Sequence, residues 1–208
     1  MIHIHVMLVL CFIARQEPAA VAITNEVQGR PGIQCGSGAI VDVSAGHATV
    51  LTVRHLFDVG IGKVSVRLID GRSFQAYDVI QDELADLALV RMKVGEALPK
   101  LRIAADPPAG QERMYQVGYP YWCRFWQIRR EGAWEQTDAF IPGTGVRLFE
   151  MTFAADPGDS GAAVIRAADR CLVGVTFLGR GSGATKATGS VCIGPTDILR
   201  LMNKAGVR

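Results

Sequence analysis

Ser160 lies between glycines in Gly158-Asp159-Ser160-Gly161, and a serine in such a setting becomes a nucleophile once a base takes its proton. The best base is an imidazole whose tautomer is held by a buried carboxylate. Of the four histidines, His3 and His5 fall in an apolar N-terminal run and His47 sits in the Ala45-Gly46 turn. His55 follows the strand-like Leu51-Thr52-Val53-Arg54 and is the one good base. Asp86 opens the apolar run Leu87-Ala88-Leu89-Val90, where a half-desolvated carboxylate seeks an N–H partner. Glycines flanking Ser160 leave room for a substrate carbonyl. The amides of Gly158 and Ser160 can then converge on the oxygen of a tetrahedral intermediate, a contribution of roughly 2.7–4 kcal/mol per donor.

Each of these features has a bland reading of its own. A lone Gly-Asp-Ser-Gly is a surface turn, a lone histidine is structural, and Asp86 beside Asp82 and Glu83 is a strand-start aspartate. It is the three together, in the order His, Asp, Ser, that point to chemistry.

The elements that must hold them read as short strands. Gly36–Val43 and Ala48–Val53 flank Ser44-Ala45-Gly46 as a hairpin; Lys63–Leu68, Ser73–Ile80 and Asp86–Met92 follow. Val94–Pro99 closes this half, and Pro107-Pro108-Ala109-Gly110 reads as a linker or loop. Arg113–Gly118, Phe125–Arg130, Arg147–Phe153, Gly161–Ile165, Cys171–Leu178 and Ser190–Ile193 repeat the style, with Gly179–Gly189 a mobile loop. The expected fold class is all-β, two packed six-stranded antiparallel β-barrels. Thr196-Asp197 caps a terminal helix with Ile198, Leu199, Leu201 and Met202 on its apolar face, closed by Gly206.

The pattern resembles the chymotrypsin-like (trypsin-like) serine peptidases, in a compact bacterial form. Leu51-Thr52-Val53-Arg54-His55 is similar to the family's Leu-Thr-Ala-Ala-His, and Asp86-Leu87-Ala88-Leu89-Val90 to its Asp-Ile-Ala-Leu-Leu, which favours Asp86 over Asp82. Gly36-Ser37-Gly38-Ala39-Ile40-Val41 is closest to bacterial members. The resemblance covers about residues 27–203. It implies a serine endopeptidase acting on protein or peptide substrates through an acyl-enzyme, with Ser160 as nucleophile, His55 as base, Asp86 as its orienter, and Gly158 and Ser160 as the oxyanion hole. It further implies a substrate-binding wall from Ala154, Thr176, Phe177, Leu178 and Gly179. Ala154 stands where a Lys/Arg-specific pocket needs an aspartate, so a small or apolar side chain is expected before the scissile bond. The sequence has no Ile-Val-Gly-Gly activation segment, and Asp159 must find a partner other than a freed N-terminus. Two other readings stay open: a peptidase-like binding module without activity, and a self-processing peptidase from a larger precursor.

The bulk numbers fit. With 22 Lys+Arg against 20 Asp+Glu, the net charge is +2, and the chain shows no dense basic stripe for nucleic acid. Arg124, Arg129 and Arg130 among Trp122, Phe125, Trp126 and Trp134 read as a loop or strand with buried aromatics rather than a base-stacking platform. Five cysteines lack metal-site spacing, so neither metal nor cofactor is expected. Cys171 and Cys192 flank a hairpin centred near Ser182 and are read either as a disulfide or as two buried thiols. Residues 1–22 read as a signal peptide with its cleavage site at Ala20-Val21-Ala22; the alternatives are a mis-assigned start or an N-terminal strand. The apolar run Ile4–Ala14 is too short to span a bilayer. The expected domains are 23–104, carrying His55 and Asp86, and 105–208, carrying Ser160. The expected location is secreted or periplasmic, otherwise cytoplasmic.

Overall fold

Apolar, β-branched runs broken by turn residues fold into twelve strands among the described residues, which are 16–122, 127–135, 140–180 and 189–207 of this computed structural model. The first six are β1 (Ala20–Glu26), β2 (Gln34–Ser44), β3 (His47–Thr52), β4 (Lys63–Arg67), β5 (Ser73–Gln81) and β6 (Ala88–Lys93). They close into a barrel in the order β1-β2-β3-β6-β5-β4. The second barrel holds β7 (Arg113–Gly118), β8 (Ile128–Glu135), β9 (Leu148–Met151), β10 (Ala163–Arg166), β11 (Leu172–Arg180) and β12 (Gly189–Ile193), in the order β10-β11-β12-β9-β8-β7. The neighbours pair antiparallel, and closure leaves no edge strand open. The expected pair of six-stranded antiparallel barrels is what forms.

Local chemistry sets the joints. Ser44 pairs with His47 across Ala45 and Gly46, whose φ values of 48° and 78° make the two-residue turn that suits strand twist. His47 thus begins β3 instead of standing in the turn. The connection after β6 is bound to both barrels: the Leu101 amide donates to Ile40 O of β2, and the Leu172 amide of β11 donates to Arg102 O. One apolar cluster runs from Ile23, Leu51 and Leu89 of the first barrel to Val117, Ile165 and Val175 of the second. A smaller one fills the second barrel around Trp134, whose ring centroid lies 4.4 Å from that of Phe149.

Three readings are sharpened. Ala20-Val21-Ala22, read as a cleavage site with an N-terminal strand as the alternative, forms the buried start of β1 and pairs with Ala39, Gly38 and Ser37 of β2. The first barrel therefore begins at Ala20, before the boundary expected at residue 23, while Ile4–Ala14 lies outside the described residues. The terminal helix, α1 (Pro195–Lys204), is capped by Gly194 with Pro195 in its first turn, because proline's fixed φ and missing N–H suit that position. Asp197 pairs instead with Arg200 at 3.2 Å. Finally, Cys171 and Cys192 are both buried free thiols. Cys192 lies opposite Thr176 in the ladder, five residues along β11 from Cys171, so the two cannot come within the roughly 7 Å Cα limit of a disulfide. Ser182 and its surrounding loop lie outside the described residues, as do Arg124, Phe125 and Trp126.

Candidate active site

His55 sits in a single 3₁₀ turn, Arg54–Phe57, where β3 ends. Leu56 and Phe57 anchor that turn in the core, and Asn25 of β1 pins it further by donating to Leu56 O at 2.9 Å and Gly60 O at 2.8 Å. The imidazole stays about one-third exposed while the Asp86 carboxylate is nearly buried. Asp86 holds His55 twice, with Oδ2 2.5 Å from Nδ1 and Oδ1 accepting the His55 backbone N–H at 2.8 Å. Two anchors on one carboxylate fix the ring orientation and favour the tautomer with the Nδ1 proton toward Asp86, which leaves Nε2 as the free ring nitrogen. Asp82 is engaged elsewhere: its Oδ1 accepts the Leu84 and Ala85 amides, and the carboxylate pairs with Arg200 at 2.9 Å.

The Ser160 loop is built by peptide planes turned one after another. The Tyr121 amide donates to Pro157 O at 2.5 Å, and the Ala162 amide to Asp159 O at 2.8 Å. In a trans peptide the N–H points opposite to its carbonyl, so these bonds turn the Gly158 and Ser160 N–H groups away from the loop's own packing. Among the described residues neither N–H has a protein acceptor. Gly158 has φ 98° and Gly161 has φ 86°, the left-handed region that favours glycine. A side chain on Gly161 would also collide with the Ser37 carbonyl oxygen.

Asp159 finds its partner in Arg130 of β8. Nη1 donates to Asp159 Oδ2 at 2.6 Å, and Nη2 donates to Asp156 Oδ2 at 2.6 Å. The Asp156 amide also donates to Asp159 Oδ2, while Asp159 Oδ1 is buried without a partner. Burial raises the Asp159 carboxyl to about 6, against the pull of the Asp156 amide and the Arg130 charge. Arg130 thus does the work that an internal amine would otherwise have to do. Its neighbours are equally committed: Arg129 lies 3.7 Å over the Tyr115 ring, and Trp134 is core.

His55 and Ser160 belong to different barrels, and the segments that carry them both approach Gly36 at the seam. A Cβ on Gly36 would land 2.7 Å from Leu56 Cδ1 and 2.9 Å from Ser160 O, so the residues beside each functional group share one contact point. No hydrogen bond joins the imidazole to the hydroxyl in this ligand-free arrangement; such bonds often tighten only around substrate. Beside His55 and Asp86 lies a cavity of about 390 Å³, walled by Leu84, Phe140, Ile141, Leu148 and Phe177.

Residues 36–175 match the family model of the trypsin-like peptidase domain. The chain belongs to this family. Among curated trypsin-like relatives, a probable periplasmic serine protease do/HhoA-like of Haemophilus influenzae is 42% identical over 134 residues, covering 62% of this chain and 28% of that protein. A putative serine protease HhoA of Synechocystis is 32% identical over 146 residues, 64% of this chain and 34% of its own length. The chain therefore matches about a third of those relatives. Among solved structures, the Rv3671c protease of M. tuberculosis in its active form superposes with TM-score 0.76 at 20% identity, covering 94% of this chain and 84% of that one. A serine endoprotease from Yersinia pestis gives 0.72 at 22% identity, covering 92% and 64%. The structural likeness extends the trypsin-like fold over nearly the whole chain.

The expected wall residues divide. Ala154 is half-buried on the segment leading into the Ser160 loop. Phe177 lines the cavity beside His55 and is a β-bulge, since the ladder passes from Thr176–Cys192 to Leu178–Val191. Leu178 and Gly179 continue β11 opposite Val191 and Ser190. Thr176 faces inward: it is buried, its Oγ1 accepts from Gln116 Nε2 at 3.0 Å, and its backbone is bonded to Gly161 and Ala162. Sequence reasoning passed over Arg130, Asn25, Leu84 and Phe140. Arg130 is one of two adjacent arginines, and only the fold selects it as the partner that Asp159 needed; the others likewise carry no signal outside the fold.

Proposed function

We propose that this chain is an exported serine endopeptidase in which Ser160, His55 and Asp86 form the catalytic triad. Ser160 Oγ attacks the scissile carbonyl carbon as His55 Nε2 takes its proton. That proton passes to the departing amine as the C–N bond breaks, leaving an acyl group on Ser160. Water, deprotonated by His55, then attacks the acyl carbon and the proton returns to Ser160. Asp86 keeps its charge throughout and stabilises the imidazolium. The Gly158 and Ser160 amides receive the oxyanion.

The observation that carries this reading is the double hold of Asp86 on His55, which leaves Nε2 the free ring nitrogen. Ala154 offers no carboxylate to a basic side chain, which supports cleavage after small or apolar residues. The cavity beside His55 is bordered by Leu84, Phe140 and Phe177 and not by the Ser160 loop, so it suits an apolar side chain elsewhere along an extended substrate. Export is supported by the apolar run Ile4–Ala14 and by the periplasmic description of the Haemophilus relative. Profiling the cuts made in a denatured proteome tests the whole proposal. New termini after Ala, Val or similar residues, absent with Ser160→Ala, are expected. Cuts after Lys or Arg would overturn the specificity, and an inert wild type would favour a binding module.

A further inference from the structure

The β2 residue Ser37 is fully buried, and every polar group it owns is spent on one neighbourhood. Its Oγ donates to Gly158 O at 2.8 Å and accepts the Tyr119 amide at 2.8 Å. Its backbone N–H donates to Ser160 O at 2.7 Å. Its carbonyl accepts from Thr52 Oγ1 at 2.7 Å. A strand of the first barrel is thereby bolted to the Ser160 loop beside the second.

We infer that Ser37 is a positioning residue for the reaction proposed above, fixing the two amides that receive the oxyanion. Gly158 O and Ser160 O bracket the peptide units carrying the Asp159 N–H and the Gly161 N–H, so holding both carbonyls sets the torsions between them. Those torsions aim the Ser160 amide, which lies between the two carbonyls. The Gly158 amide is set from both sides, its own peptide by the Tyr121 amide's bond to Pro157 O and the next peptide by the Ser37 bond to Gly158 O. The close approach needs glycines on either side: a Cβ at Gly36 would meet Leu56 and Ser160 O, and one at Gly38 would meet Val50 and Ile23 at 2.7 and 2.8 Å. Gly118 also stays bare, with its Cβ position 3.1 Å from Ser37 Oγ. The Gly36-Ser37-Gly38 string, which looks like an ordinary strand start, is a shaped contact for the loop. Thr52 extends the chain of bonds to β3, just ahead of the His55 turn, so one buried path links the elements carrying base and nucleophile.

The inference rests on Ser160 being the nucleophile, and the test separates the two. Wild type, Ser37→Ala, Ser37→Cys and Thr52→Val would be titrated with a fluorophosphonate, whose phosphonyl oxygen occupies the oxyanion position. The readouts are the limiting rate of Ser160 phosphonylation, the reagent concentration giving half that rate, and the melting temperature. For Ser37→Ala we expect the limiting rate to fall roughly 100-fold, the loss typical of one displaced oxyanion donor, with the half-saturating concentration within a factor of about three. Ser37→Cys, a weaker donor, falls between. Thr52→Val loses about tenfold and still folds if Ser37→Ala does not. Unchanged limiting rates in variants that melt below wild type would show a merely structural serine and overturn the inference. A wild type that is not phosphonylated on Ser160 would overturn the nucleophile itself, and Ser37's role with it.

Discussion

Arg130 holds two carboxylates at once, and removing it leaves Asp159 buried with no compensating charge. Breaking such a pair costs about 3–5 kcal/mol, so Arg130→Met is expected to lower the unfolding midpoint in urea by that equivalent and to slow acylation of Ser160. An unchanged midpoint would show that the pair is incidental. Asp159 also has a pH signature. Its carboxyl is raised to about 6 mainly by burial, above the unfolded value of 3.8, so the folded state binds this proton more tightly. The stabilisation is fully present below about pH 4 and is lost as pH rises through about 6. Two pKa units correspond to roughly 3 kcal/mol. Asp159→Asn should flatten that part of the stability–pH curve. His55, Asp86 and Ser160 stood out in the sequence by type and context. The structure pairs the first two and sets Ser160 in a loop with its own amide unspent among the described residues; their roles in catalysis are the proposal made above. Arg130 and Ser37 did not stand out, because their partners lie on other strands and no local pattern records a cross-strand contact.

At the level of elements, β1 decides where the folded chain must start. Glu17 exchanges two 2.7 Å bonds with the Gln127 side chain and pairs with Arg170 at 2.7 Å, and Ala20–Ala22 fill barrel positions. Any leader is therefore expected to leave at or before Glu17. N-terminal sequencing of exported protein checks this, and a mature terminus at Ile23 would contradict it. Strand runs and their turns were readable from alternation and glycine signals. The start of β1 was not, since a small apolar run reads alike as a cleavage site and as a buried strand. The helix cap moved from Thr196-Asp197 to Gly194 for a similar reason: Pro195 suits a first turn, but only the tertiary approach of Phe149, whose ring lies 2.5 Å from the Cβ position of Gly194, decides that the residue before it must be small. Gly161→Ala tests the loop as an element. It adds a strained φ to a collision with the Ser37 carbonyl, and we expect loss of soluble folded protein or of several kcal/mol in stability.

Across the whole molecule, two closed barrels share one apolar cluster, and the proposed chemistry lies on the seam between them. The fold class, most of the strands and the terminal helix could be read from patterning, but the first barrel's opening strand β1 could not. The cysteine pairing could not, because a disulfide depends on register, and register set Cys192 against Thr176. The proposed base and nucleophile come from separate barrels, and contacts such as those of Ser37 and Gly36 fix their relative position across the seam. The most direct measurement is to react the purified protein with a fluorophosphonate and locate the adduct by peptide mass mapping. The account predicts one adduct, on Ser160, abolished by His55→Ala as well as by Ser160→Ala. An adduct on another residue, or none on the folded wild-type protein, would contradict it.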